Sequence, residues 1–99
     1  MDKIHHIALQ VSDIKEAVNW YKKRFNVKVL YQDNSWGYLE FENVKLAFVL
    51  PEQHPNHIAF ERTDAEKFGE LTPHRDGTAS IYIKDPFGNF LEMLKEKGR

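Results

Sequence analysis

His6 and His57 head two stretches that repeat each other, "HHIALQVSD" and "NHIAFERTD", and Glu92 lies near the end of a third, "FGNFLEML". Each of the first two reads as a β-strand, so alternate residues share a face. His6, Ala8 and Gln10 then oppose Ile7, Leu9 and Val11. His57, Ala59 and Glu61 oppose Ile58 and Phe60. In the third stretch Glu92 sits between Leu91 and Met93, and a strand that buries those two aims the carboxylate at the other side. Two imidazoles and one carboxylate from three strands form a facial donor set. It suits Fe, Mn, Zn, Ni or Co as one divalent ion and leaves coordination positions open for a substrate. Glu61, four residues beyond His57 on the same face, is the carboxylate expected to act as a base. Trp36, Tyr38, Phe48 and Tyr82 offer flat surfaces for a small-molecule ligand. Two chemistries are therefore expected: a divalent-metal-dependent enzyme, or a metal-free cleft that sequesters a planar compound. His5 reads as the opposite-face neighbour of His6, and His54 and His74 as solvated loop residues.

The elements that must position these groups follow from periodicity and caps. Residues 4–11 alternate as a strand. Ser12-Asp13 with Glu16 is a helix-start signal. Ile14, Ala17, Val18, Tyr21 and Phe25 recur at helical spacing, predicting a helix over 13–25 with Asn26 as its end cap. Strands "KVLYQD", "GYLEF" and "KLAFVL" follow, separated by the turn segments "NSW" and "EN". The first unit, residues 1–50, is thus β-α-β-β-β. "PEQHPN" (51–56) links it to a second, shortened unit over 57–95: a strand, a capping box Thr63 to Glu66, a short helix through Ala65, Phe68 and Leu71, then two strands around "DPFGN". The expected fold class is α+β: two pseudo-symmetric βαβββ units forming one open curved sheet around a cleft, within a single domain over 1–99. The closing "KEKGR" reads as a frayed tail.

Composition narrows the partners. The chain has 99 residues, with 14 basic and 15 acidic side chains, so no basic face is advertised and neither nucleic acid nor membrane is an expected partner. It has no cysteine, which excludes disulfides and thiolate chemistry of its own. No apolar run is long enough to span a bilayer and no signal segment is visible, so a cytoplasmic location is expected.

The stretches "HHIALQVSDIKEAVNWYKKRF", "HIAFERTD" and "YIKDPFGNFLEML" resemble the vicinal oxygen chelate superfamily, which groups glyoxalases, bleomycin-resistance and fosfomycin-resistance proteins and extradiol dioxygenases. The resemblance runs from about Ile4 to Leu94. It implies the same metal ligands, His6, His57 and Glu92, and an enzyme of lyase, thiol transferase or dioxygenase type acting on a small oxygen-chelating molecule, or a sequestering protein of bleomycin-resistance type. Glyoxalase I has a fourth ligand, a glutamate, at the position matching Ala47. Similarity to the fosfomycin thiol transferases lies in "WGYLEF" and "SIYI", with Tyr38 and Tyr82 at matching positions. Ala8 stands where that branch has a threonine, and Thr72 near where it has a lysine.

Assembly follows from the short, Pro-stiffened link. A tether of this length favours exchange of halves with a second chain. A homodimer is expected, in which His6 of one chain meets His57 and Glu92 of the other.

Overall fold

The computed structural model describes residues 1–96. Among them the chain is α+β, with one α-helix, one 3-10 turn and eight strands. It divides into two compact units, one of residues 6–56 and one joining residues 1–5 to the chain from 57 onward. The division falls inside the first strand, β1 (Lys3–Gln10).

In the unit of residues 6–56, α1 (Ile14–Arg24) begins where the sequence signals it. Asp13 is extended and its carboxylate accepts a hydrogen bond from the Glu16 N–H at 3.0 Å. Glu16 in the first turn and Lys22, Lys23 and Arg24 in the last complement the helix dipole. The helix ends at Phe25, which is extended (φ −129°) and donates its N–H to the Tyr21 carbonyl at 2.9 Å. The cap therefore falls one residue before the expected Asn26. Strands β2 (Lys28–Gln32), β3 (Trp36–Glu40) and β4 (Lys45–Val49) run antiparallel in succession, and β4 pairs in parallel with β1. Ile14 and Val18 of the helix pack on Leu39, Leu46 and Phe48, with Ile7 and Leu9 at the margin. Helix and sheet approach closely at Gly37: a Cβ there would lie 3.1 Å from Ile14 and 3.2 Å from Val18. The other face of the sheet carries Ala8, Ala47 and Val49, packed against Trp36 and Tyr38. The link is folded onto the end of β1 and does not run as a free tether. The Asn56 side-chain oxygen accepts from the Gln10 N–H at 2.7 Å, and the Gln10 amide donates to the His54 carbonyl at 2.8 Å.

The second unit orders its strands as the start of β1, then β5 (His57–Glu61), β8 (Phe90–Lys95), β7 (Ala79–Lys84) and β6 (Thr72–Pro73). The expected short helix is a four-residue 3-10 turn, Ala65–Phe68, and the expected capping box does not form. The turn starts one residue later than that box requires, with Asp64 as its N-cap, and Arg62 takes both oxygens of the Asp64 carboxylate, at 2.9 and 3.0 Å, so it caps nothing. The turn between β7 and β8 is fixed by Asp85, whose carboxylate accepts from the Phe87 and Asn89 N–H groups and the Asn89 amide, each at 2.9 Å. Gly88 supplies the positive φ of 85°. This turn sets the register Tyr82↔Glu92. A slip of one residue would turn Glu92 to the other face.

Among the described residues, two ion pairs, Arg62–Asp2 at 3.3 Å and Lys3–Glu61 at 3.6 Å, and a hydrogen bond between His5 and Glu96 at 2.8 Å tie the first residues to this unit. Two residues of the expected frayed tail are thus held, Glu96 by His5 and Lys95 by Glu66 at 3.2 Å. Residues 97–99 of that tail lie outside the described residues.

Candidate functional site

Among the described residues, the second unit buries four polar side chains: His57, Thr78, Ser80 and Glu92. His57 opens β5 and Glu92 lies in the neighbouring parallel β8, where Ala59 is its register partner. Their side chains meet on one face, with His57 Nε2 3.1 Å from Glu92 Oε1. The second carboxylate oxygen, Oε2, accepts a hydrogen bond of 2.6 Å from the Ser80 hydroxyl. Ser80 Oγ is in turn 2.7 Å from His74 Nε2, which stands 3.6 Å from Glu92 Oε2. Tyr82, the cross-strand partner of Glu92, lies edge-on to the His57 ring at 4.9 Å. Burial, and after it the charge of Glu92, raise the Tyr82 phenol well above its ordinary range. It stays protonated and can donate a hydrogen bond, but it is no base. A candidate His/Glu metal cluster includes His57 and Glu92. The donor set fits a borderline divalent ion: an imidazole nitrogen and a carboxylate oxygen held within 3.1 Å, with the carboxylate already braced from behind.

In the unit of residues 6–56, His6 is half-buried on the face opposite the helix and stands edge-on to Tyr38, with ring centroids 5.9 Å apart. Trp36 stacks on Tyr38 at 5.1 Å, and Tyr31 lies 4.9 Å from Trp36. The four rings form a row. Tyr31 joins it through a β-bulge between Val29 and Tyr31, which makes Tyr31 the partner of Tyr38. Asp33 fastens the end of the row. It accepts from the Tyr31 hydroxyl at 2.5 Å and, through its other oxygen, from the Ser35 and Trp36 N–H groups at 2.8 Å. The Tyr31 hydroxyl first, and the Ser35 amide next, hold this carboxyl well below its ordinary range.

The registers of the two units correspond. In β1 and β4, Ala8 two residues after His6 pairs with Ala47. In β5 and β8, Ala59 two residues after His57 pairs with Glu92. Ala47 thus holds in one unit the position that Glu92 holds in the other, and it brings no donor atom.

Not every expected contact residue falls on these faces. Phe48 is fully buried in the core beneath the helix, 4.9 Å from the Tyr21 ring. Strand alternation puts it opposite Ala47, so it is corrected from a ligand contact to a core residue. Glu61 is paired with Lys3 and groups with His5 and Glu96, their ligand atoms lying within 4.8 Å of one another. His74, read as solvated, instead reaches into the buried network through Ser80. His74 carried no motif, and in "SIYI" it was Tyr82 that was singled out and not Ser80. The signal that could have found Ser80 is its parity with Tyr82 on a strand next to Glu92.

Comparison with known proteins agrees with this fold. Solved structures of similar fold include the hypothetical protein BH1468 from Bacillus halodurans C-125, with 19% identity, 99% of this chain and 96% of that one covered, and a TM-score of 0.81. A glyoxalase/bleomycin resistance protein/dioxygenase superfamily member from Vibrio splendidus 12B01 matches at 12% identity over 97% and 100% of the two chains, with a TM-score of 0.74. The 2,3-dioxygenase LapB from Pseudomonas sp. KL28 matches at 17% identity, with 96% of this chain against 42% of that one and a TM-score of 0.65. No curated protein sequence matches. The profile of the Glyoxalase/Bleomycin resistance protein/Dioxygenase superfamily matches residues 3–93. The chain belongs to the glyoxalase/bleomycin resistance protein/dioxygenase superfamily.

Proposed function

We propose that this protein is a metal-dependent enzyme that holds one divalent ion through His6, His57 and Glu92 and acts on a small molecule offering two oxygens to it. The observation that carries the reading is the buried His57–Glu92 pair, a carboxylate only 4% exposed and 3.1 Å from an imidazole nitrogen. A buried carboxylate costs several kcal/mol unless it is hydrogen-bonded, paired or coordinated. His6 completes the set by its equivalence to His57 in strand position and register. When bound, the ion supplies Lewis-acid chemistry at substrate oxygens. The chain's own residues do the rest. The rings of Trp36 and Tyr38, extended by Tyr31, bind and orient a planar part of the substrate, and the protonated Tyr82 offers an O–H to an oxygen beside His57. We give Glu61 no part in this chemistry: its carboxylate groups with Lys3, His5 and Glu96. A homodimer is the assembly we propose.

The test is metal analysis of purified protein. One equivalent per chain, abolished in His6→Ala, His57→Ala and Glu92→Gln, is the expected result. Protein that refuses Zn(II), Mn(II), Fe(II), Co(II) and Ni(II) alike would overturn it.

The row of Tyr31, Trp36 and Tyr38 favours a second reading, a metal-free protein that sequesters an aromatic compound on that face. It expects ligand-dependent quenching of tryptophan fluorescence that is lost in Trp36→Ala and indifferent to chelators.

A further inference from the structure

Resting on the proposed metal site, we infer that Ser80 and His74 are positioning residues that make Glu92 a one-oxygen ligand, holding Oε2 so that Oε1 alone faces the ion. The two carboxylate oxygens have different neighbours. Oε1 stands 3.1 Å from His57 Nε2, while Oε2 accepts from Ser80 at 2.6 Å. A serine hydroxyl has one proton. Given to Glu92, it leaves Ser80 Oγ to accept from His74, whose Nε2 at 2.7 Å therefore carries the hydrogen. The chain of donors runs one way, from His74 through Ser80 to Oε2, and a second contact of 3.6 Å joins His74 to the same oxygen.

The local fold serves this placement. The two-residue strand β6 ends immediately before His74 and pairs Thr72 with Ser80. Beyond it the loop closes tightly. His74 N–H donates to the Thr78 carbonyl at 2.8 Å, and Asp76 accepts from both the N–H and the hydroxyl of Thr78, at 2.9 and 2.7 Å. The remnant of the second strand of this unit thus survives as the mount of one imidazole. A carboxylate pinned at one oxygen has a fixed plane and cannot swing to grip an ion with both oxygens. Partners of this kind behind a metal ligand are worth about 10–100-fold in affinity.

The experiment is a Co(II) titration of the whole protein, read by the visible absorption of bound Co(II), for wild type, Ser80→Ala, His74→Ala and His74→Gln. Melting curves of the metal-free proteins are taken in parallel. Ser80→Ala should bind Co(II) about 10–100-fold more weakly and shift the Co(II) spectrum as the carboxylate is released. His74→Ala should weaken binding, and His74→Gln, which keeps an N–H donor, should restore most of it. A role in packing alone would lower the metal-free melting temperature and leave the spectrum unchanged, which would overturn the inference. Wild-type affinity and spectrum in Ser80→Ala would also overturn it, with the metal site intact. A wild-type protein that takes up no Co(II) would instead bring down the proposed function, and this inference with it.

Discussion

At the scale of single residues, the two halves differ by one donor. Ala47 and Glu92 share a register position, and only Glu92 brings an oxygen. Ala47 is 2% exposed, so a glutamate there would bury a carboxylate. Ala47→Glu should lower the melting temperature of metal-free protein by roughly 5 °C or more. Saturating Zn(II) should return most of that loss. Differential scanning fluorimetry with and without the ion checks it, and a loss that Zn(II) leaves untouched would show that position 47 does not face the ion. Strand parity made much of this residue scale legible: His57 and Glu92 meet as their alternation requires. Parity also condemns Phe48 as a contact, since Ala47 and Phe48 cannot share a face. His74 was hidden because its role depends on a loop whose path is set by hydrogen bonds that Thr78 donates to Asp76, not by any pattern of polarity.

At the scale of elements, the helix was readable to within a residue because its apolar stripe and its Asp13 cap are local properties. The four-residue 3-10 turn was not. It starts on Asp64 and not on the Thr63 that the capping box pointed to, and Arg62 holds the Asp64 carboxylate better than backbone N–H groups would. The bulge in β2 was also invisible, because Leu30 and Tyr31 are equally good strand residues. Two predictions belong here. Gly37→Ala pushes a methyl against Ile14, Val18 and Phe48, all fixed in the core, and should destabilise the protein by about 1–3 kcal/mol in urea unfolding. An unchanged midpoint would mean that the helix can lift off the sheet without cost. Asp33→Asn tests the fastening of the aromatic row. A carboxyl held low by folding contributes stability that is complete above its unfolded value of about 4 and is lost as pH falls toward its folded value. Wild type should therefore melt above Asp33→Asn at neutral pH, with a gap steady down to about pH 5 and shrinking below about pH 4. A gap constant across that range would show that the charge of Asp33 contributes nothing.

At the scale of the whole molecule, the assembly we propose is a homodimer that exchanges halves. Asp2, Lys3 and His5 lie against Arg62, Glu61 and Glu96, and contacts of this kind form equally within one chain or between two copies. Sedimentation should give a dimer at micromolar concentration, and jointly refolded His6→Ala and Glu92→Ala proteins should recover metal binding that neither has alone. No recovery in the mixture would assign each site to one chain. The length of the link is legible in the sequence; its docking on Gln10 is not, because it depends on hydrogen bonds of the Asn56 side chain and the His54 carbonyl.

The division of the chain within β1 bears on how the protein can be cut. The repeat invites a break between Asn56 and His57, yet the compact unit that starts at His57 also owns residues 1–5. A fragment starting at His57 would leave one edge of β5 bare, with its backbone groups open to any other strand. A synthetic peptide of residues 1–11 could fill that edge as an added strand. The two copies in this sequence are therefore not separable modules: the break between Asn56 and His57 is a boundary of both folded units, but the unit that opens there also needs residues 1–5 from the other end of the text.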